Sequence, residues 1–548
     1  MKNKYTILGV VILSFILGAF TTAGILQNIT RADVQAAGKI IGLEFTTTEI
    51  DSLIPGLEEF QQDYASNRER SIPNATAPVL VFNPIPIGFD IDQTNRPSGY
   101  TNADQLIMPE NKEDLAFFTV RQLAHLIKSQ QISSEELTKF YLARLKKQDP
   151  SLKCVISLTE ELALEQAKKA DQEIKSGKYR GVLHGIPYGA KDLLATKKYK
   201  TTWGATPFKE QSFDYDATVI QKLEEAGAVL VAKLTMGALA WGDVWYDGMT
   251  RNPWDPTTGS SGSSAGSASA VSAGLVPFAI GTETLGSIIS PSTVCGTTGL
   301  RPTFGRVSRY GAMALSWSMD KIGPICRQAE DCALILSAIN GKDVKDPSTI
   351  EVPFGYNATQ KNNRGKIGYI RKDFEKDYAF KEQDKATLDM LKSIGYELVP
   401  IELPAMPNIG FILDAEAAAA FDELTRNGQD DQLKRQIRNA WPNVFRQARF
   451  IPAVEYIQAN RLRSQLINEV QQIFEEVEVI VHPSLASSAL SIFNMTGQPS
   501  ICLPNGFKDQ KPTSITFTGQ LFREDLIIAV AHAYQERTPF DDQHPVVK

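Results

Sequence analysis

The chain is predicted to fold as an α/β core carrying a helical extension at its N-terminal end. Three observations lead there. From Glu160 to about Asn340, short apolar runs alternate with helix-like stretches punctuated by Gly and Pro, the pattern of an α/β core. The composition, 43% hydrophobic with mixed charge, supplies enough apolar material to bury a substantial core. Two serine-bearing, glycine-rich loops, 259–267 and 281–287, flank a short apolar run, as loops at the end of buried elements would.

The elements follow in order. Met1 to Tyr5 is a short basic start, Thr6 to Phe20 is almost unbroken apolar sequence, and small polar residues follow. That layout predicts a signal peptide over residues 1–23, cleaved after Ala23, and hence a secreted or periplasmic protein. The alternative is an uncleaved membrane anchor reaching Leu26, about the twenty residues a bilayer requires. A third is a buried helix of a cytosolic protein. Residues 28–110 are expected to form a helical and extended segment that packs on the core. Within it, Thr30 to about Arg70 reads as helix, with Leu57, Phe60 and Tyr64 at helical spacing. Val79 to Phe82 reads as a short strand, and Pro84, Pro86 and Pro97 mark an extended connector.

The core is expected over 114–548. Asp114 to Gln148 reads as helix, with Ser133 and Glu136 spaced as a capping box and Leu137, Tyr141 and Leu145 on one face. Glu160 to Gly177 is a second helix. Ala268 to Gly274 is a helix of small residues, able to bring backbone close to backbone, and Leu275 to Ile280 is a buried strand ending at Gly281. Residues 351–471, with Ala415 to Ala420 and many charges, are expected to form a variable helical cap.

Several function classes are disfavoured. A net charge of −6 without any basic run offers no electrostatic case for nucleic acid. Five scattered cysteines make neither a disulfide framework nor a CxxC site, and Cys295 and Cys502 read as small core residues. There is no HExxH, P-loop or dinucleotide fingerprint, and no metal or organic cofactor is implied. What remains is a lysine, Lys191, in an apolar setting of Ile186, Ala190, Leu193 and Leu194, upstream of serines on tight loops. Those are the parts of a Ser–Lys hydrolase, in which lysine replaces histidine as the base. His184, near that lysine, reads as structural. A neutral Lys191 at pH 7 requires its pKa to fall by about three units, roughly 4 kcal/mol of bias.

Gly185 to Asp192, Gly262 to Ser267, Gly281 to Ser287, Cys295 to Thr303 and Gly305 to Ser308 together resemble the blocks of the amidase signature family, in the family's order. Weaker echoes are Arg251 to Trp254, Asp320 to Pro324 and Thr496 to Ile501. The resemblance implies a central mixed β-sheet flanked by many helices. It also implies a Ser–cis-Ser–Lys triad: Ser287 as nucleophile, Ser263 as the bridging serine after a cis peptide bond, and Lys191 as base. The backbone amides of Thr284, Leu285, Gly286 and Ser287 match the oxyanion hole. Residues 241–249 and the cap near Phe411 to Phe421 are implied as pocket walls, with Trp241, Trp245 and Phe411 as substrate-lining residues favouring apolar or aromatic amides.

Two positions depart from the pattern. Leu285 replaces a common glycine and would be strained if the site needs positive φ. Ile289 replaces an arginine that commonly pairs with the acidic residue matched by Glu283, leaving Glu283 to find another partner or be neutral. These features resemble the peptide-amidase branch more than the tRNA-dependent amidotransferase branch. The expected activity is hydrolysis of a small, aryl or peptide-type amide through a serine acyl-enzyme. The alternatives are a catalytically inactive binding protein on the same fold and a glutamine-dependent amidotransferase A subunit. The sequence leaves the oligomeric state open.

Overall fold

The structure is a computed structural model that describes residues 28–103, 105–358 and 365–546. The expected signal peptide or anchor lies outside the described residues. No described helix is long and apolar enough to cross a membrane. Two compact units are present, one comprising residues up to Pro73 with Phe450–Pro452, the other Asn74–Arg449 with Ala453 onward.

In the first unit, the single helix expected over 30–70 is two helices, Arg31–Ile41 and Thr47–Arg68. Each starts on a complete capping box, Thr30 with Asp33 and Thr46 with Glu49. Gly42 ends the first in the left-handed region, φ 71°, which breaks the run.

The large unit is built on an eleven-stranded mixed sheet. Its strands are β1 Val155–Leu158, β2 Pro187–Lys191, β3 Val229–Leu234, β4 Ala279–Glu283, β5 Thr298–Arg301, β6 Lys321–Cys326, β7 Lys366–Ile370, β8 Glu397–Ile401, β9 Val479–Pro483, β10 Ser500–Lys508 and β11 Lys511–Gly519. They lie in the order β1-β3-β2-β4-β6-β5-β10-β11-β9-β7-β8. Strands β3, β2 and β4 are parallel neighbours, as are β9, β7 and β8, and the middle of the sheet is antiparallel. Every residue of β2, β3, β4, β6 and β9 is buried, because helices cover both faces. The helix Ala265–Ser272 is buried along its whole length, as its small residues predict.

Several expectations are corrected here. Val79–Phe82 is not a strand; Val79 and Leu80 are 98% and 87% exposed and their backbone pairs with nothing extended. The stretch from Asp114 to Gln148 is broken into a 3-10 turn, Lys112–Phe117, and two helices, Val120–Lys128 and Ser134–Leu152. Thr119 caps the second segment and Ser133 the third, the latter through the predicted box with Glu136. Leu137, Tyr141 and Leu145 are buried together.

The strand expected at 275–280 is shifted, running from Ala279 through Gly281 to Glu283. Gly281 is not a stop but a close approach: a Cβ there would meet Ser264 Oγ at 2.9 Å and Ile325 Cδ1 at 3.0 Å. The segment 351–471 is not purely a helical cap, since β7 and β8 complete one edge of the sheet. β8 is the edge strand and partly exposed, while β7 is paired on both sides. The rest of the segment is mainly helical, through Lys381–Ile394, Phe411–Ala420, Trp441–Ala448 and Ala453–Ile473.

Candidate active site

Lys191 ends β2 in the middle of the sheet's parallel half, wholly buried. Ile186, Ala190, Leu193 and Leu194 around it are buried as well. Its Nζ lies 2.8 Å from Ser263 Oγ, 2.9 Å from Thr282 Oγ1, 3.1 Å from Ser264 Oγ and 3.3 Å from the Thr282 carbonyl. Burial pushes this amine down to about 7, while the more distant Asp320 and Glu283 pull the other way. An amine surrounded by hydroxyls, with no carboxylate in contact, is poised to accept a proton near neutral pH.

The Gly262–Ser263 peptide bond is cis. Ser264 secures the far side of this loop: its hydroxyl donates to the Thr282 carbonyl at 3.0 Å and accepts from the Thr282 amide at 3.1 Å. Its own amide donates to the Ser287 carbonyl at 3.1 Å, tying the two serine loops together.

Ser287 sits on the turn between β4 and the short helix Ile289–Cys295, 8% exposed. The turn requires positive φ at Gly286, 83°, and not at Leu285, so the strain expected at Leu285 does not arise. Leu285 is 39% exposed, its side chain turned outward. Among the described residues, the amides of Thr284, Leu285, Gly286 and Ser287 donate to no protein acceptor, which leaves them available to a substrate oxygen.

The question raised by Ile289 is answered by Glu283. Arg301 Nη1 donates to its Oε1 at 2.7 Å and Asn494 Nδ2 at 2.8 Å. The amides of Ile288 and Ile289 donate to its Oε2 at 2.8 and 2.9 Å. Burial alone would raise this carboxyl, but Arg301 and the Ile289 amide outweigh it and hold Glu283 at about 2. Ionised Glu283 therefore braces the turn directly after Ser287. Asp320 braces the turn before it, accepting from Thr284 Oγ1 at 2.6 Å and from the Leu315 and Ser316 amides. Arg301, Asn494, Thr282 and Asp320 were not singled out from the sequence for these roles. A charged residue inside the apolar block Gly299–Pro302 is the one signal that asks for a buried partner.

Beside Thr282 and Thr284 opens a cavity of about 80 Å³, which Leu193, Ala240, Met313 and Lys321 also line. Trp241, Trp245 and Phe411 are not among its lining residues. Trp241 lies under the Arg435 guanidinium at 4.9 Å, Trp245 is buried edge-on against Tyr246, and Phe411 packs into the hydrophobic cluster around Ile412 and Phe493. His184 is fully buried, accepting from the Arg180 amide at 3.1 Å, a structural position. Among the described residues, no three His, Cys, Asp or Glu side chains are grouped to hold a metal ion.

Residues 136–496 match the family model described as Amidase. The chain is 34% identical over 481 residues to the glutamyl-tRNA(Gln) amidotransferase A subunit of Coxiella burnetii, a match covering 78% of this chain and 99% of that one. The peptide amidase of Stenotrophomonas maltophilia superposes with a TM-score of 0.70 at 27% identity, covering 78% of this chain and 98% of that one. The glutamyl-tRNA(Gln) amidotransferase A subunit of Thermotoga maritima superposes with a TM-score of 0.67 at 25% identity, covering 81% and 100%. The chain belongs to the Amidase family and is an amidase acting on amide bonds.

Proposed function

We propose that this amidase hydrolyses a small amide by itself, through an acyl-enzyme on Ser287. The observation that carries the reading is the contact of Lys191 Nζ with Ser263 Oγ, 2.8 Å, by a fully buried amine lowered to about 7. Ser287 Oγ attacks the amide carbonyl carbon. Its proton passes to Ser263 Oγ as the Ser263 proton passes to Lys191 Nζ. The amides of residues 284–287 receive the carbonyl oxygen as it gains charge, a contribution of about 3 kcal/mol per donor. The C–N bond then breaks, and the leaving nitrogen takes the proton back along Ser263. Water attacks the ester, its proton following the same route, and the free acid and Ser287 hydroxyl are restored.

The basic start and apolar run at the N-terminus support a secreted or periplasmic location, with membrane attachment if that segment is retained. The second reading, a glutamine-dependent amidotransferase A subunit, is favoured by the 34% identity to such a protein.

One set of measurements separates them. Ser287→Ala abolishes labelling by a fluorophosphonate and lowers amide turnover by about 10⁴-fold or more. The isolated chain turns over simple amides without ATP or tRNA. Labelling that persists on another serine overturns the nucleophile. Activity confined to glutamine, and only in a complex, establishes the second reading.

A further inference from the structure

The cavity beside Thr282 and Thr284, which the triad candidates Lys191, Ser263 and Ser287 do not themselves line, is walled partly by a segment that lies before the family-matched region. Ala75 and Ala77 line it together with Thr282 and Thr284, whereas the family match begins at residue 136. This strap is held by one side chain. Asn74 Nδ2 donates to the Ala314 carbonyl at 2.8 Å and the Ala420 carbonyl at 3.3 Å, and Asn74 Oδ1 accepts from the Ala314 amide at 2.8 Å. Both ends of the amide are thus engaged, as in a pair of β-ladder bonds made by a side chain. Ala314 is itself a wall residue of the cavity, and Ala420 ends the helix Phe411–Ala420. One asparagine therefore ties the strap, a wall of the cavity and a cap helix together. The two strap residues that line the cavity, Ala75 and Ala77, carry only methyl side chains and are otherwise exposed.

We propose that residues 74–77 determine specificity: the cavity beside Thr282, the residue that touches Lys191, takes one arm of the substrate, and the strap sets how long that arm is, with Asn74 as its positioning residue. The proposal rests on the site assignment above. At about 80 Å³, the cavity is roughly half the size of one that holds benzene, about 150 Å³. The arm it takes is a short aliphatic or small polar group. A hydrophobic wall discriminates by about 10- to 200-fold per methylene gained or lost, so moving or thickening the strap changes the length preference directly.

The test uses the full chain with two series of amides, one lengthening the acyl group at a fixed amine, the other lengthening the amine at a fixed acyl group. Ala75→Trp and Ala77→Trp are expected to lower kcat/KM for the longest members at least tenfold relative to the shortest, in one series. Asn74→Ala is expected to shift the preference in the opposite direction, and Ala77→Val serves if the larger replacements fail to fold. Binding of the same amides to the Ser287→Ala chain, with and without the strap substitutions, is measured by calorimetry. That arm reads the strap even if the chemistry is not as proposed, and absence of wild-type fluorophosphonate labelling reports that separate failure. Length-dependent shifts in affinity support the strap. Equal losses at every length in both series, or an unchanged ratio in Asn74→Ala, overturn it.

Discussion

Two lysines stand side by side in the sheet, both wholly buried, and only one has the environment of a base. Lys191 on β2 and Lys233 on β3 are one residue out of register, Lys191 opposite Leu234 and Lys233 opposite Ala190. Strand alternation therefore sends them to opposite faces. Asp192 follows Lys191 and alternates away from it, onto the face of Lys233. There it forms an ion pair at 3.0 Å, with Thr202 donating twice to the other carboxylate oxygen. Burial drives Lys233 down and Asp192 up, and their pairing draws both back toward the charged form. Lys191 meets only hydroxyls and a carbonyl, so nothing in contact offsets its burial. The difference teaches that burial does not by itself make a base; burial without a counterion does.

The largest effect expected from breaking this contrast is on turnover. Lys191→Ala removes the proposed proton acceptor and should lower kcat/KM by about 10³-fold or more, measured on any amide the wild type hydrolyses. The equivalent change on the other face should strike stability instead. Asp192→Ala strands Lys233 in the core and should cost about 3–5 kcal/mol in denaturant unfolding, while Asp192→Leu with Lys233→Met should recover most of that loss. An intact stability after Asp192→Ala would mean the pair is not what holds Lys233.

A third experiment makes Lys191 resemble Lys233. Thr282→Asp places a carboxylate where Oγ1 lies 2.9 Å from the amine. A neighbouring negative charge favours the protonated form, so the acid limb of kcat/KM, expected near 7 in the wild type from the lowered Lys191 amine, should move to higher pH. Activity at pH 7 should fall by about 10- to 100-fold and recover in part at higher pH. The smallest change sharpens the contrast. Asp320→Asn removes a carboxylate that favours the charged amine, so the acid limb should move to lower pH by less than about one unit. A shift upward, or none with turnover intact, would show that Asp320 does not act on Lys191. In every case the sign is the same: lower pH protonates Lys191 and removes the base.

How much of this was legible before folding varies by residue. Lys191, Ser263 and Ser287 were singled out because the blocks that carry them resemble those of the family in the family's order. The capping box at Ser133 and Glu136 was readable because it satisfies its own helix within three residues. The strands β7 and β8 were not read from the sequence; β8 is an edge strand with partly exposed residues, while β7, paired on both sides, is a short run of five residues interrupted by Gly368. Trp241, Trp245 and Phe411 were expected at the substrate because the resemblance implied that residues 241–249 and the cap near Phe411 wall the pocket. The fold uses them for packing, as it does most aromatics.

The sequence alone determined the family and the order of the site blocks, because a resemblance is carried by short contiguous motifs, and it offered three residues as a candidate triad. It also showed that Glu283 had lost the arginine at position 289. Only the tertiary structure decided what replaced it, because Arg301 reaches Glu283 from 18 residues away and Asn494 from 211. The same holds for the lowered Lys191 amine, whose partners come from the Ser263 loop and β4, and for the Asn74 strap, bonded to a wall 240 residues on. Desolvation and ion pairing depend on what surrounds a group in space, and chain neighbours supply only a small part of that surrounding.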